Sequence, residues 1–240
     1  MRVVTNFALI KRNRQISQIS FFASMGILVA FFLISLTNKN SDLAFLFNCV
    51  LTPLIFLGIL YAVRMSNNWI REPVPWTALE DALKGLSTDS ILYHYIFPAR
   101  HVLINPRGVF AIYPIVIDRP VVVEDDHWAM TGGFGGALLA FLRQENVGNP
   151  TRDAEKEASK AQDFINKHVP NNTVVVEPII VFTSPNAKVE VRGEQTVPVT
   201  FAMSKQNPGL KDYIKSIKEG EFETLLPEQI EVLDNVLIYQ

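Results

Sequence analysis

Cysteine and histidine are scarce: one Cys, at position 49, and four His in 240 residues. A disulfide framework and a thiolate zinc cluster are therefore excluded. Cys49 lies inside an apolar run, so no thiol nucleophile is available to the rest of the chain. Charge is thin as well, at 19% Asp, Glu, Lys and Arg, and it is absent from residues 16–36 and from residues 43–63. No serine stands in a nucleophile-elbow context. The glycine cluster GGFGG, 132–136, precedes an apolar helix and could offer N–H groups to an anion. Neither the Lys-[Ser/Thr] of a phosphate loop nor the third spaced glycine of a dinucleotide loop follows it, so it reads as a connector. No internal repeat or low-complexity segment occurs.

What is present in excess is apolar surface. The chain is 48% hydrophobic with a mean hydropathy of +0.17, and most of that sits in the two uncharged runs. Each is close to the ~20 residues a helix needs to cross a hydrocarbon core of ~30 Å. Their few polar residues are Ser, Gln, Asn and Thr, which can bond within or between helices. A cleavable signal would have an apolar core of only ~7–15 residues, and the first run is longer and is followed almost at once by the second. The expectation is a membrane hairpin over 1–71 with spans at about 16–36 and 43–63.

The flanks orient it. Arg2, Lys11, Arg12 and Arg14 precede the first run and Arg64 and Arg71 follow the second, while the connecting TNKNSD holds one Lys and one Asp. Basic flanks favour the cytoplasmic side, so the chain is expected to be a two-pass integral protein of the cell membrane with both termini cytoplasmic. Tyr61 and Trp69 suit the interface at the second exit. Residues 1–71 carry seven Lys+Arg and one acid, net +6; residues 72–240 carry fifteen and twenty-three, net −8. The bilayer is the expected partner of the basic part. The acidic remainder argues against nucleic acid as a partner and leaves a membrane or cytoplasmic protein as the alternative.

The cytoplasmic part, 72–240, opens with a proline-marked linker, REPVPW, and a short helix in TALEDALKGL, with Thr77 as N-cap and Glu80 completing a capping box. SILYHYIF, HVLI, GVFAIYPIVI and PVVVE predict a meander of three or four strands. Pro114 lacks an N–H and predicts an edge or a bulge. NPTRDAEKEASKAQDFINKHV is the clearest helix, capped by Asn149 with Pro150 at its first position and an apolar stripe of Ala154, Ala158, Ala161, Ile165 and Val169. TVVVEPIIVFT reads as a strand buried on both faces, KVEVRGEQTVPV as a small hairpin turning at Arg192–Glu194, and helices open at Asn207–Pro208 and at Pro227. The expected fold is an α/β (α+β) mixed-sheet domain preceded by two transmembrane helices.

EDDHW, 124–128, gathers three carboxylates and an imidazole, but successive strand residues point to opposite faces, so it reads as an acidic turn ending in an aromatic anchor. His94 and His101 sit in apolar strands, and His168 ends a helix, where a donor suits the dipole. The series HVLI, Pro106-x-Gly-Val-Phe-Ala-Ile112, Asn149-Pro150 and Val181-Phe182-Thr183, in VEPIIVFTSPNAKVEV, resembles the nuclease-related domain (NERD) over residues 77–220.

That resemblance implies a restriction-endonuclease-like fold. It also implies an ion-binding Asp ahead of the HVLI strand and a Glu-x-Lys after the GVFAI strand. There the acids hold a divalent ion that polarises phosphate and activates water, and the Lys orients the nucleophile. In this chain those positions are Arg100, Tyr113 and Ile115, and no acid occurs between Asp89 and Asp118. A Gly-Glu expected at the first helix falls at Pro75-Trp76, and a Gln expected after the Asn-Pro start is replaced near Asp153. The resemblance therefore implies a non-catalytic, membrane-anchored binding or scaffolding module with no cofactor. One alternative is a metal-dependent nuclease or phosphoesterase using displaced carboxylates, Asp118, Asp125 and Asp126. The other is a subunit of a membrane complex.

Overall fold

Period-two alternation in the strands and helical stripes beside them generate a layered α/β arrangement, described here from a computed structural model over residues 1–37, 42–131, 134–143, 147–203 and 205–238. In chain order the elements are β1 (Arg2–Thr5), α1 (Phe7–Thr37), α2 (Asp42–Trp69), α3 (Pro75–Ala82), β2 (Ile91–His94), β3 (His101–Asn105), β4 (Gly108–Ile115) and β5 (Pro120–Glu124). There follow β6 (His127–Met130), α4 (Phe134–Leu142), α5 (Pro150–His168), β7 (Val176–Phe182), β8 (Lys188–Arg192), β9 (Val199–Phe201), α6 (Leu210–Ser216) and α7 (Pro227–Ile238). Most of the loop TNKNSD, with Lys39, and the glycines Gly132 and Gly133 of GGFGG lie outside the described residues.

Two compact units result. One comprises Met1–Asn6, Pro75–Thr131 and Val147–Gln240; the other comprises Phe7–Val74 and Gly132–Asn146. The first holds a six-stranded mixed sheet ordered β1-β2-β3-β4-β7-β9 and a three-stranded sheet ordered β6-β5-β8. β2, β3 and β4 form the antiparallel meander that the sequence predicts, and β5 leaves it for the second sheet. β7 lies between β4 and β9, parallel to both, and its continuous apolar run is buried as expected of such a strand. The connection from β4 to β7 runs through α5, which packs on both strands.

Alternation assigns the two faces of the large sheet. Ile91, Tyr93, Val102, Ile104, Val109 and Ala111 join Ala158, Ala161 and Ile165 of α5 and Leu233 and Leu237 of α7 in one buried cluster. Their immediate neighbours Leu92, Leu103, Phe110 and Ile112 turn the other way, onto Leu79 of α3, Leu83, and Leu210 and Ile214 of α6. A third cluster joins Ile115, Ile180 and Phe182 to Val121, Val123 and Val189 of the small sheet.

Several local expectations are corrected. Residues 2–5, assigned by sequence to the membrane hairpin, form β1 and pair in parallel with β2, Arg2 opposite Ile91 and Thr5 opposite His94. Arg2 also meets Asp234 at 2.5 Å, and Tyr93 donates to Asp234 at 2.7 Å, which ties β1 and β2 to α7. α3 begins at Pro75, so Thr77 lies inside it rather than capping it; proline suits a first helical position, where its missing N–H is no loss. KVEVRGEQTVPV turns at Gly193 (φ +66°), but its arms do not pair: β8 joins β5 and β9 joins β7, in different sheets. α6 opens at Leu210 with Gly209 as cap, two residues past the Asn-Pro start. Pro114 behaves as expected. The β3 ladder stops at Val102 opposite Ala111, and Ile115 C=O accepts from Thr183 N on the β7 side, so the proline nitrogen faces the side that β3 has already left.

In the second unit α1 and α2 pack along one another, with Ser24 Oγ donating to Gly58 C=O at 3.4 Å. Among the described residues two helices are long and apolar enough to cross a membrane: Phe7–Leu36 has hydropathy 2.4 with 0% of its most apolar window buried, and Cys49–Trp69 has 1.8 with 6%. Helix α1 starts well ahead of the expected span because Lys11, Arg12 and Arg14 ride on the same helix as the apolar run.

Candidate functional site

β4 outruns β3 at its C-terminal end, and the corner this leaves is faced by the first turns of α5. Asn149 positions that helix: its Oδ1 accepts from Arg152 N at 3.0 Å, with Pro150 beginning the helix as expected. Asp153 and Glu157 stand four residues apart and so share a helix face. Tyr113 donates its hydroxyl to Asp153 Oδ2 at 3.1 Å. Arg100 donates its backbone N–H to Glu157 Oε2 at 2.8 Å, and Lys160 Nζ meets Glu157 Oε1 at 2.7 Å. Glu157 is buried, so this pairing supplies what burial of a carboxylate requires. Burial first, then the charge of Asp153 and the bond to it, pushes the Tyr113 hydroxyl up to about 12, so it stays a neutral donor.

Arg100, Tyr113 and Ile115 thus occupy the entry of β3 and the end of β4, on adjacent strands. Ile115 is buried in the third apolar cluster and offers no polar atom. The two α5 carboxylates near Arg100 and Tyr113 escaped the sequence reading, which placed Asp153 only as a substituted position. Both belong to the charged face of an amphipathic helix, and only the crossover from β4 to β7 turns them toward this corner.

The alternative carboxylates are engaged separately. Asp118 accepts a hydrogen bond from Ser184 Oγ. Asp125 and Asp126 form the turn between β5 and β6 at φ +46° and +63°, a conformation that Asp tolerates better than most residues. Asp125 Oδ1 accepts from Glu194 N at 3.2 Å. Asp126 accepts from Thr196 N at 3.2 Å, from Thr196 Oγ1, and from Thr151 Oγ1 at 3.1 Å. Burial opposes ionisation of Asp126, but the bonds from Thr196 and Thr151 outweigh it and hold its carboxyl below the usual value. Trp128 then anchors the turn, donating Nε1–H to Thr151 Oγ1 at 2.9 Å and stacking on Phe182 at 6.2 Å. Among the described residues no three His, Cys, Asp or Glu side chains are grouped to hold a metal ion.

A second feature went unread in the sequence. His94 and His101 face each other across β2 and β3 with Nδ1 atoms 2.7 Å apart, both buried. Burial lowers the His94 pKa to about 4 and pulls His101 well below 6.5, the latter helped by the charges of His94 and Arg100. The seven-residue spacing could have hinted at such a pair, but only the register of the meander brings the rings together. His168 caps its own helix through Phe164 C=O at 2.9 Å.

Comparison of the chain with protein-family models, with curated proteins and with solved structures finds no match.

Proposed function

We propose that the chain is a membrane-anchored protein whose cytoplasmic unit has a nuclease-related, restriction-endonuclease-like core without cleavage chemistry, and that it works as a binding or scaffolding module at the membrane face. The observation that carries this reading is the state of the corner between β4 and α5. A hard divalent ion needs at least a pair of free carboxylate ligands and an activated water. The three positions that the resemblance assigns to those tasks hold Arg100, Tyr113 and a buried Ile115. The nearest acids, Asp153 and Glu157, already serve Tyr113 and Arg100 as acceptors.

The anchor has support of its own. A core helix pair of a soluble protein would be mostly buried, whereas the two apolar windows here are 0% and 6% buried. A cleaved signal would not leave residues 2–5 paired into the large sheet. The two hydrophobic helices therefore suit a bilayer, with the basic flanks at anionic headgroups.

The test is divalent-ion calorimetry and a DNA-cleavage assay on the full chain in detergent micelles, with Mg²⁺ and Mn²⁺. No chelator-sensitive cleavage is expected. Cleavage that needs the ion and disappears in Asp153→Ala or Asp118→Ala would overturn the reading.

A further inference from the structure

Helix α4 is uncharged along its whole length and sits in the same compact unit as α1 and α2, not with the sheets that flank it in sequence. Its nine residues span roughly 14 Å at 1.5 Å each, too short to cross a bilayer. Of its side chains, Ala140 is buried while Leu138, Leu139, Phe141 and Leu142 are 52%, 53%, 53% and 39% exposed, a continuous apolar surface. Such a patch on a helix in water is an aggregation liability unless something apolar covers it.

The surroundings identify the cover. The Phe141 ring lies 6.4 Å from that of Phe56 on α2, and Asn67 donates Nδ2–H to Arg143 C=O at 2.7 Å. The exposed face of α4 is therefore continuous with the exposed apolar surface of α2, which includes Leu54, Phe56 and Leu57. Where α4 ends, Val63, Asn67, Arg71 and Arg143 line a shallow depression of about 240 Å³. Two guanidinium groups at the end of an apolar surface match an acyl region bordered by anionic phosphates.

We propose that α4 is a third membrane element. It lies in the plane of the bilayer at the boundary of headgroups and acyl chains, beside the exit of α2, with Arg71 and Arg143 at headgroup level. The inference rests on the reading of α1 and α2 as spans. It means that the chain returns to the membrane between β6 and α5, so the acidic unit is connected to the bilayer by this excursion as well as by the hairpin.

The experiment uses the full chain with Cys49→Ser and one new cysteine at a time, Leu139→Cys, Leu57→Cys or Glu155→Cys, each carrying an environment-sensitive fluorophore. The protein is reconstituted in vesicles of phosphatidylcholine and phosphatidylglycerol containing lipids with a nitroxide near the headgroup or deep in the chain. Loss of fluorescence at position 139 is expected to be greatest with the shallow nitroxide, at 57 with the deep one, and absent at 155. Position 139 unquenched while 57 is quenched overturns the α4 proposal and spares the hairpin. Position 139 quenched most by the deep nitroxide also overturns it. Neither position quenched overturns both.

Discussion

His94 and His101 can be bonded only while they share a single proton between their Nδ1 atoms, one ring donating and the other accepting. Both Nε2 atoms are buried without a hydrogen-bond partner, and the carboxylate nearest to His94 Nε2, Glu80 Oε1, stands 3.7 Å away. A proton added to the neutral pair places a cation in a buried, apolar strand pair beside Arg100, and a second one would also set two N–H groups against each other. The folded pKa values therefore lie below the unfolded one, and the unfolded chain binds more protons. Stability from this source is intact above pH 6.5 and is lost as pH falls from there toward about 4, at about 1.4 kcal/mol per pH unit for each proton that only the unfolded chain takes up. The urea midpoint of the full chain in micelles should accordingly drop between pH 7.5 and pH 5. The drop should shrink in the double variant His94→Leu/His101→Leu, and an undiminished drop there would sink the account. Gly193 offers a second check. At φ +66° an added Cβ is strained, and it would also run into the Asp125 carboxylate that accepts from Glu194 N. Gly193→Ala should cost about 1–3 kcal/mol in a melt of the full chain.

Helix α5 organises the candidate site, and its start is the place to perturb it. Asn149→Ala removes the acceptor for Arg152 N and should cost about 0.5–2 kcal/mol of stability, measured by denaturant unfolding, with Asn149→Asp or Asn149→Ser restoring most of it. This helix was readable in full because cap, first-turn proline and stripe are all local signals. The meander was readable for the same reason, since turns and alternation lie within a few residues of each other. β1 was not: RVVT is four residues running into a helix, and it is a strand only because the edge of β2, some ninety residues away in sequence, accepts it. The arms of KVEVRGEQTVPV gave a true turn and a false pairing, because β8 finds its partner in β5 and not in the next segment. The corner site was half readable on the same principle. Positions 100, 113 and 115 could be named from the resemblance alone, while the acceptors Asp153 and Glu157 depend on how α5 crosses back over the sheet.

The pairing of β1 with β2 constrains the path of the whole chain. Residues 2–5 and the strands from Ile91 onward belong to one sheet, so whatever lies between them must leave and return on the same side of any membrane. Two crossings satisfy this and one or three do not. The charge distribution favours an orientation for such a path, with basic flanks on both outer ends of the hairpin and net −8 over residues 72–240. Of the basic residues that flank the hairpin, only Arg2 also belongs to the paired strands. Cysteine accessibility can decide the matter in a Cys49→Ser background. Asn40→Cys, between α1 and α2, should react with an impermeant maleimide added outside intact cells. Asp163→Cys, on the exposed side of α5, should react only after the membrane is opened. If Asp163→Cys labels from outside and Asn40→Cys does not, the hairpin is inverted and the charge argument fails while the sheet argument stands. If both label from outside, the hairpin does not cross the membrane at all.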